Sequence, residues 1–163
     1  MPKKLELILV PTDFSGLSCE AFSWATLLAD QFKAKIVIVH VISAKDAVEM
    51  TAQPGNPWER VLEREDTAMI ESFQRCLQSD FGQMVETQTL VQLGPAAEKI
   101  IEAAKEKEAD LIVMTTHGRT GVSHALMGSV AEKVVRQSPC PVLTIRPKGG
   151  PPVENSFRKK ASA

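Results

Sequence analysis

The chain is poor in aromatic residues and shows no excess of either charge. It has no tyrosine, and aromatic side chains make up 5% of its 163 residues. Its apolar runs are far shorter than the roughly 20 residues that a membrane helix needs, so no membrane partner is expected. A formal net charge of −1 provides no general attraction to nucleic acid, so no nucleic-acid partner is expected either. The start of the chain does not resemble a signal peptide, because charged residues interrupt it.

Cysteine and histidine are also scarce. The three cysteines, Cys19, Cys76 and Cys140, are widely spaced and odd in number, a pattern that predicts neither a disulfide framework nor a metal site. We therefore expect a cytoplasmic protein, since the cytoplasm keeps thiols reduced. Cys140 stands between two prolines and is interpreted as a small packing residue.

What the chain does contain is a regular alternation of apolar strands and amphipathic helices. The predicted strands cover residues 5–11, 35–42, 84–92, 110–116 and 142–146. The predicted helices cover residues 17–32, 58–80, 95–108 and 129–138, with Pro95 at the first helical position and a capping box of Ser129 and Glu132. Turn signals in residues 43–57 predict a mobile surface loop that could include a short helical turn. We expect one domain over residues 1–147 and a flexible tail over 148–163.

This alternation predicts an α/β fold, an open and doubly wound parallel sheet with helices on both faces. Ligands of such sheets bind beyond the carboxyl ends of the strands, where the strand order reverses. If the order is 3-2-1-4-5, the loops Pro11–Gly16 and Thr115–Ser129 face each other across one crevice. The second loop leads into a helix start, where backbone N–H groups and the helix dipole favour an anion such as phosphate.

Six stretches of the chain form a specific combination: Ile8–Ser15, Val39–Val41, Ala109–Met114, His117–Gly121, Gly128–Lys133 and Pro139–Leu143. Together they resemble the universal stress protein family over residues 4 to 147. The resemblance implies a five-stranded, Rossmann-like sheet of order 3-2-1-4-5 and a dimer. One branch of the family binds ATP through the pattern G-x2-G-x9-G-[S/T], which this chain matches except that Thr115 replaces the first glycine.

The resemblance also implies a set of nucleotide-binding residues, each with a simpler structural alternative. Asp13 would hold the adenine end of the nucleotide, or its negative charge would only interact favourably with the dipole of the nearby helix. Val41 would contact the adenine edge through its backbone, or it is plain strand core. Arg119 would pair with phosphates, or it is a solvated loop residue. The complete candidate set is Pro11, Thr12, Asp13, Val41, Thr115, His117, Gly118, Arg119, Gly128, Ser129 and Val130.

The function predicted from these residues is a nucleotide-binding stress-response or signalling module. The expected ligand is ATP, AMP or ADP, and Mg²⁺ could accompany the triphosphate. No lysine stands where a Walker-type loop would place one, and His117 has no recognisable catalytic partner, so efficient catalysis is not expected. The alternative is a dimeric interaction protein of the same fold that binds no nucleotide. The dimer is expected to form through the last strand, by way of Val142, Leu143 and Ile145.

Overall fold

The computed structural model describes residues 4–52, 54–76, 85–117 and 127–146. Strands and helices alternate along these ranges, as the sequence predicts. The strands are β1 (Leu7–Thr12), β2 (Lys35–Ile42), β3 (Thr87–Leu93), β4 (Leu111–Thr115) and β5 (Val142–Ile145). The helices are α1 (Ser18–Phe32), α2 (Ala44–Thr51), α3 (Trp58–Cys76), α4 (Ala96–Glu106) and α5 (Ser129–Gln137).

The five strands form one parallel sheet in the order β3-β2-β1-β4-β5. This confirms the predicted doubly wound fold and places the reversal of strand order between β1 and β4. The start of β1 is held against β4 by Asp110, whose Oδ2 accepts hydrogen bonds from Glu6 N at 2.9 Å and Leu7 N at 3.1 Å. The carboxyl ends of β1 and β4 therefore meet at one edge of the sheet.

Each face of the sheet carries its own apolar cluster, because successive strand residues point to opposite sides. Ile8 and Val10 pack with α1 and α3, whereas Leu9 packs with α4 and α5. Phe22 of α1 meets Phe73 of α3 edge to face, with ring centroids 5.2 Å apart. The near-continuous apolar strands are thus explained by a sheet that is covered on both faces.

The segment between β2 and α3 is more ordered than the sequence predicts. The sequence predicts a mobile surface loop that could include a short helical turn, whereas Ala44–Thr51 form a helix of 8 residues, α2. The Ser43 side chain caps this helix by accepting a hydrogen bond from Asp46 N at 3.1 Å. The loop was predicted from the strong turn signals at Pro54 and Gly55, which lie beyond the end of the helix.

Two predicted helix starts are shifted by one residue. Pro95 is the N-cap of α4 rather than its first helical residue. Gly128 is the N-cap of α5, so Ser129 is the first helical residue and the predicted capping box with Glu132 is wrong. The extended backbone of Gly128, with φ −72° and ψ 156°, is typical of an N-cap.

The prediction that the cysteines would form no disulfide is wrong. Cys19 at the start of α1 is bonded to Cys76 at the end of α3, with 57 residues of sequence separation. Spacing could not show this pair, because the packing of the two helices brings the residues together. Cys140 is a free thiol that packs against the apolar cluster under α4 and α5, as predicted.

Some predictions fall on parts of the chain that the structure does not describe. These are the end of the second predicted helix beyond Cys76, the start of the third predicted strand, Gly118, Arg119 and the tail 148–163. No helix in the described ranges combines the length and hydropathy needed to cross a membrane.

Candidate functional site

A cavity of about 260 Å³ opens at the carboxyl ends of β1, β2 and β4. Its lining includes described residues from each of the two loops that the sequence predicts to face each other across the crevice. Asp13 follows β1 on one side, and Ser129 begins α5 on the other. The cavity thus lies at the reversal of strand order, where doubly wound sheets bind ligands.

Most of the predicted site residues line this cavity. His117 is described by the structure but is not part of the lining, and Gly118 and Arg119 lie outside the described residues. Those that line the cavity are Pro11, Thr12, Asp13, Val41, Thr115, Gly128, Ser129 and Val130.

The wall after β1 is fixed by its own side chains. Asp13 Oδ1 accepts hydrogen bonds from Ser15 N at 2.9 Å and from Ser18 Oγ at 3.3 Å. Thr12 Oγ1 accepts one from Phe14 N at 3.1 Å and donates to Ser18 Oγ at 3.3 Å. Phe14 takes the left-handed backbone conformation, with φ 62°. These bonds hold the Asp13 carboxylate in a defined position at the mouth of the cavity.

A buried histidine stands behind this wall. His40 lies opposite Thr12 in the register of β1 and β2, and its Nδ1 donates to Thr12 O at 2.8 Å. Its ring packs against Phe14, with ring centroids 4.4 Å apart. Its Nε2 faces Glu65 of α3, with 3.7 Å to Oε2. Glu65 interrupts the apolar stripe of α3 because its carboxylate meets this imidazole.

The opposite wall is the N-terminus of α5. Glu132 N bonds back to Gly128 O at 2.9 Å, which makes Gly128 the cap. The N–H groups of Ser129, Val130 and Ala131 therefore have no acceptor within the helix. Because these residues line the cavity, the positive end of the helix dipole faces it.

Two contacts hold α5 in this position. Gly128 N donates to Thr116 O at 2.7 Å. The Lys133 ammonium on α5 bonds to the Glu98 carboxylate on α4 and thereby lowers the pKa of Glu98. A Cβ on Gly128 would come within 3.1 Å of Thr116 O. The absence of a side chain at Gly128 is therefore explained by the approach of the Thr116 backbone.

Thr115 and His117 form hydrogen bonds with their neighbours at the end of β4. Thr115 Oγ1 donates to His117 O at 2.9 Å. His117 Nδ1 lies 2.9 Å from Thr116 Oγ1. The Thr115 side chain thus stands at the cavity wall with its hydroxyl bonded to the protein backbone.

The sequence does not identify every residue of the cavity. Asp46 and Met50 were missed because their helix, α2, was predicted as a loop. His40 was missed although a single polar residue in an apolar strand is a usable signal. The remaining unpredicted lining residues are Ser18, Val39, Ile42, Ala96, Ile100, Met114, Thr116 and Ala131.

The charges of the described lining residues are all negative. Asp13 and Asp46 carry them, and neither lysine nor arginine is part of the described lining. Among the described residues, no three His, Cys, Asp or Glu side chains form a group that could hold a metal ion. In the described lining, the helix start therefore provides the positive potential for an anion.

Known proteins are similar to this chain in sequence and fold. The model of the universal stress protein family matches residues 5–146. A universal stress protein of Methanocaldococcus jannaschii is 34% identical over 142 residues, covering 85% of this chain and 81% of the relative. The solved structure of a second universal stress protein of that organism is 26% identical, with a TM-score of 0.73. That likeness covers 91% of this chain and 100% of the other.

Two solved structures with nucleotides share the fold at lower identity. One is a universal stress protein in complex with cAMP, 22% identical with a TM-score of 0.61, covering 90% of this chain and 100% of the other. The other, from Archaeoglobus fulgidus in complex with dAMP, is 17% identical with a TM-score of 0.59, covering 88% and 100%. From the family match and the 34% identical relative, the chain belongs to the universal stress protein family.

Proposed function

We propose that this protein binds an adenine nucleotide, ATP, ADP or AMP, in the cavity beyond β1, β2 and β4. The observation that carries the proposal is the pairing of two different walls across one cavity. The Asp13 carboxylate is fixed on one side, and the N-terminus of α5 faces it from the other. A nucleotide needs acceptors for its base or ribose and donors for its phosphate, and these walls provide them in that order.

The proposed ligand lies with its nucleoside towards Pro11, Asp13 and Val41. Its phosphate lies towards Ser129 and Val130, where unpaired N–H groups and the helix dipole favour negative charge. Mg²⁺ is proposed only as a companion of the triphosphate, since this ion is commonly held by phosphate oxygens, waters and one or two carboxylates. The same fold holds cAMP in one protein and dAMP in another, so it is compatible with adenine nucleotides.

The proposed role is a nucleotide-dependent stress-response or signalling module rather than an efficient enzyme. A hydrolase needs a base within hydrogen-bond reach of the attacking water. The candidate, His117, lies beside the Thr116 hydroxyl and outside the lining of the cavity. We further propose that the protein acts in the cytoplasm as a homodimer that pairs through β5.

One observation favours a second function, a dimeric interaction protein that binds no nucleotide. Thr115 stands where the ATP-binding pattern has glycine, and this residue is part of the cavity lining. If its Cβ and methyl group occupy space that the ligand needs, the crevice would be formed but would not be used. Direct binding measurements separate the two functions.

The test is titration of the purified full-length protein with ATP, ADP and AMP by calorimetry and thermal unfolding. A bound nucleotide should stabilise the protein by about 2.7 kcal/mol at one hundred times Kd. Mass spectrometry of any ligand that copurifies would identify the natural nucleotide. If ATP, ADP and AMP at millimolar concentration all give no binding heat and no thermal shift, the nucleotide function is excluded.

Asp13→Asn tests the placement of the ligand. Asparagine keeps the Oδ1 acceptor for Ser15 N, so the loop should survive, but the charge is lost. We expect affinity to fall about tenfold or more, because a hydrogen bond to a charged acceptor contributes roughly 1.5–3 kcal/mol. Asp30→Asn is the matched control, since Asp30 of α1 pairs with Lys33 just beyond the helix and is not part of the cavity lining. Equal affinity of the two variants would show that the nucleoside lies elsewhere.

A further inference from the structure

The disulfide joins α1, whose first residue Ser18 lines the cavity, to α3, whose Glu65 faces the lining residue His40. Cys19 lies in the first turn of α1, and Cys76 is the last residue of α3. Their Cα atoms are 4.8 Å apart, and both residues are half-buried. The pair is therefore within reach of small reagents from solvent while being fixed by the fold.

Packing holds the two cysteines together independently of the bond. Phe22 follows Cys19 by one turn of α1, and Phe73 precedes Cys76 by one turn of α3. The two rings meet edge to face and are buried, at 0% and 4% exposure. Because this contact does not depend on the sulfur atoms, the thiols of the reduced protein should stay close enough to react. The fold has two apolar clusters of its own and does not need the bond to form a core.

The disulfide is linked to the Asp13 wall through one residue. Ser18 immediately precedes Cys19 and is buried, and its hydroxyl bonds to Asp13 Oδ1 and to Thr12 Oγ1, each at 3.3 Å. From the other side, α3 presses Glu65 against His40, which bonds to Thr12 O. A bond between α1 and α3 thus restrains both supports of this wall.

We propose that Cys19 and Cys76 form a reversible thiol–disulfide pair whose oxidised form fixes the Asp13 wall of the cavity. Hydrogen peroxide is the oxidant: one thiolate takes an oxygen to give a sulfenic acid and hydroxide. The second thiolate then attacks that sulfur and releases another hydroxide, which forms the disulfide and gives two waters in all once protonated. Two molecules of a small thiol such as glutathione reduce the bond and leave as their own disulfide. The consequence for nucleotide affinity rests on the function proposed above.

The first experiment tests the pair itself in full-length protein carrying Cys140→Ser. This variant lacks the free thiol, so alkylation reports on Cys19 and Cys76 alone. The protein is equilibrated in glutathione buffers of graded ratio or treated with peroxide, then alkylated and weighed intact. We expect both thiols to disappear together, without covalent cross-links between chains, and to return with excess glutathione. A bond that resists millimolar glutathione in the folded protein, or products that are glutathione adducts or cross-linked chains, would overturn the proposal.

The second experiment tests the link to the cavity by amide hydrogen exchange of residues 12–19 in oxidised and reduced protein. We expect exchange to slow by about fivefold or more on oxidation, at the lower end of typical couplings between sites. Chemical reduction of the unmutated chain gives the same comparison without any substitution. Cys76→Ser with Cys140→Ser is the control: Cys19 can still take an oxygen from peroxide but cannot form the disulfide, so exchange of the segment should not slow. Equal exchange in both redox states would overturn the link.

An ATP titration of both redox forms separates this proposal from the nucleotide function. We expect the oxidised form to bind about fivefold more tightly, because a wall that is already ordered loses less entropy on binding. If ATP, ADP and AMP all fail to bind either form while exchange still responds to oxidation, the nucleotide function fails and the redox link stands. If ATP binds both forms equally, the link to affinity is wrong.

Discussion

Thr115 is the residue at which the sequence pattern and the structure conflict. The ATP-binding pattern has glycine at this position, and a glycine would let a ligand approach the backbone without a Cβ. In the structure the Thr115 hydroxyl donates to His117 O at 2.9 Å. The hydroxyl is thus directed to the protein, and the rest of the side chain only occupies space at the cavity wall.

Thr115→Val and Thr115→Gly separate these two properties. Valine keeps the branched shape without the hydroxyl, so nucleotide affinity should stay unchanged while stability falls by about 1 kcal/mol. Glycine removes the crowding; if that crowding costs about 1 kcal/mol of side-chain strain on binding, affinity should rise about fivefold. Calorimetry and urea unfolding measure the two quantities. A large loss of affinity in Thr115→Val would instead show that the hydroxyl contacts the ligand.

At the scale of elements, α3 carries a buried carboxylate on its apolar face. Glu65 is only 7% exposed, and its Oε2 lies 3.7 Å from His40 Nε2. Arg64 Nε is 3.7 Å from the other oxygen. This arrangement connects α3 through the imidazole to Thr12 and so to the cavity.

Glu65→Gln should destabilise the protein by about 1–3 kcal/mol. Glutamine keeps the volume but loses the charge that faces the imidazole and Arg64, and changing one partner of a buried polar contact has a cost in this range. Glu63→Gln is the control on the exposed side of the same helix and should change stability by less than about 0.5 kcal/mol. Urea denaturation at constant pH measures both. If the two variants are equally stable, the contact with His40 does not hold α3.

The sequence predicts the sheet well because parallel strands that are buried on both faces have nearly continuous apolar sequences. Once that order of elements is known, the position of the crevice follows from topology. The residues at which helices begin were harder to predict, because neighbouring residues favour different local structures. Ser43 caps α2, although the turn signals that follow it predict a loop. Gly128 caps α5 although the sequence favours Ser129 as the cap, and only the backbone conformation of Gly128 shows this.

Other features depend on packing that spacing does not encode. The disulfide of Cys19 and Cys76 requires α1 and α3 to lie side by side, which Phe22 and Phe73 bring about. Gly128 was predicted only as a residue of the nucleotide-binding loop. What the structure brings close to it is the carbonyl of Thr116, a contact that no one-dimensional pattern could reveal.

At the scale of the whole molecule, the two apolar clusters and the disulfide make separate contributions. The clusters cover both faces of the sheet and define the fold. The disulfide links residues 57 positions apart in the sequence and so lowers the entropy of the unfolded chain. In the chain-entropy description this stabilises the folded state by about 4 kcal/mol. The reduced protein should therefore remain folded, with a lower Tm than the oxidised protein.

The outer edge of the sheet is where a second copy is proposed to bind. Ile112 N donates to Pro141 O, and Thr116 N donates to Ile145 O. Because backbone groups alternate in direction along a strand, the groups of residue 143 also face β4, and those of residues 142 and 144 face away from the sheet. The N–H of Thr144 is therefore placed to pair with the same strand of a partner.

Thr144→Pro should convert the proposed dimer into a monomer without breaking the sheet. Proline removes the outward N–H and suits the extended backbone of an edge strand, and no bond to β4 is lost. Thr144→Val keeps the N–H and the branched shape, so it should remain dimeric. Sedimentation of the parent protein and the two variants at equal concentration measures their oligomeric state. A Thr144→Pro variant that still sediments as a dimer would place the contact elsewhere, and a monomeric parent would exclude the dimer altogether.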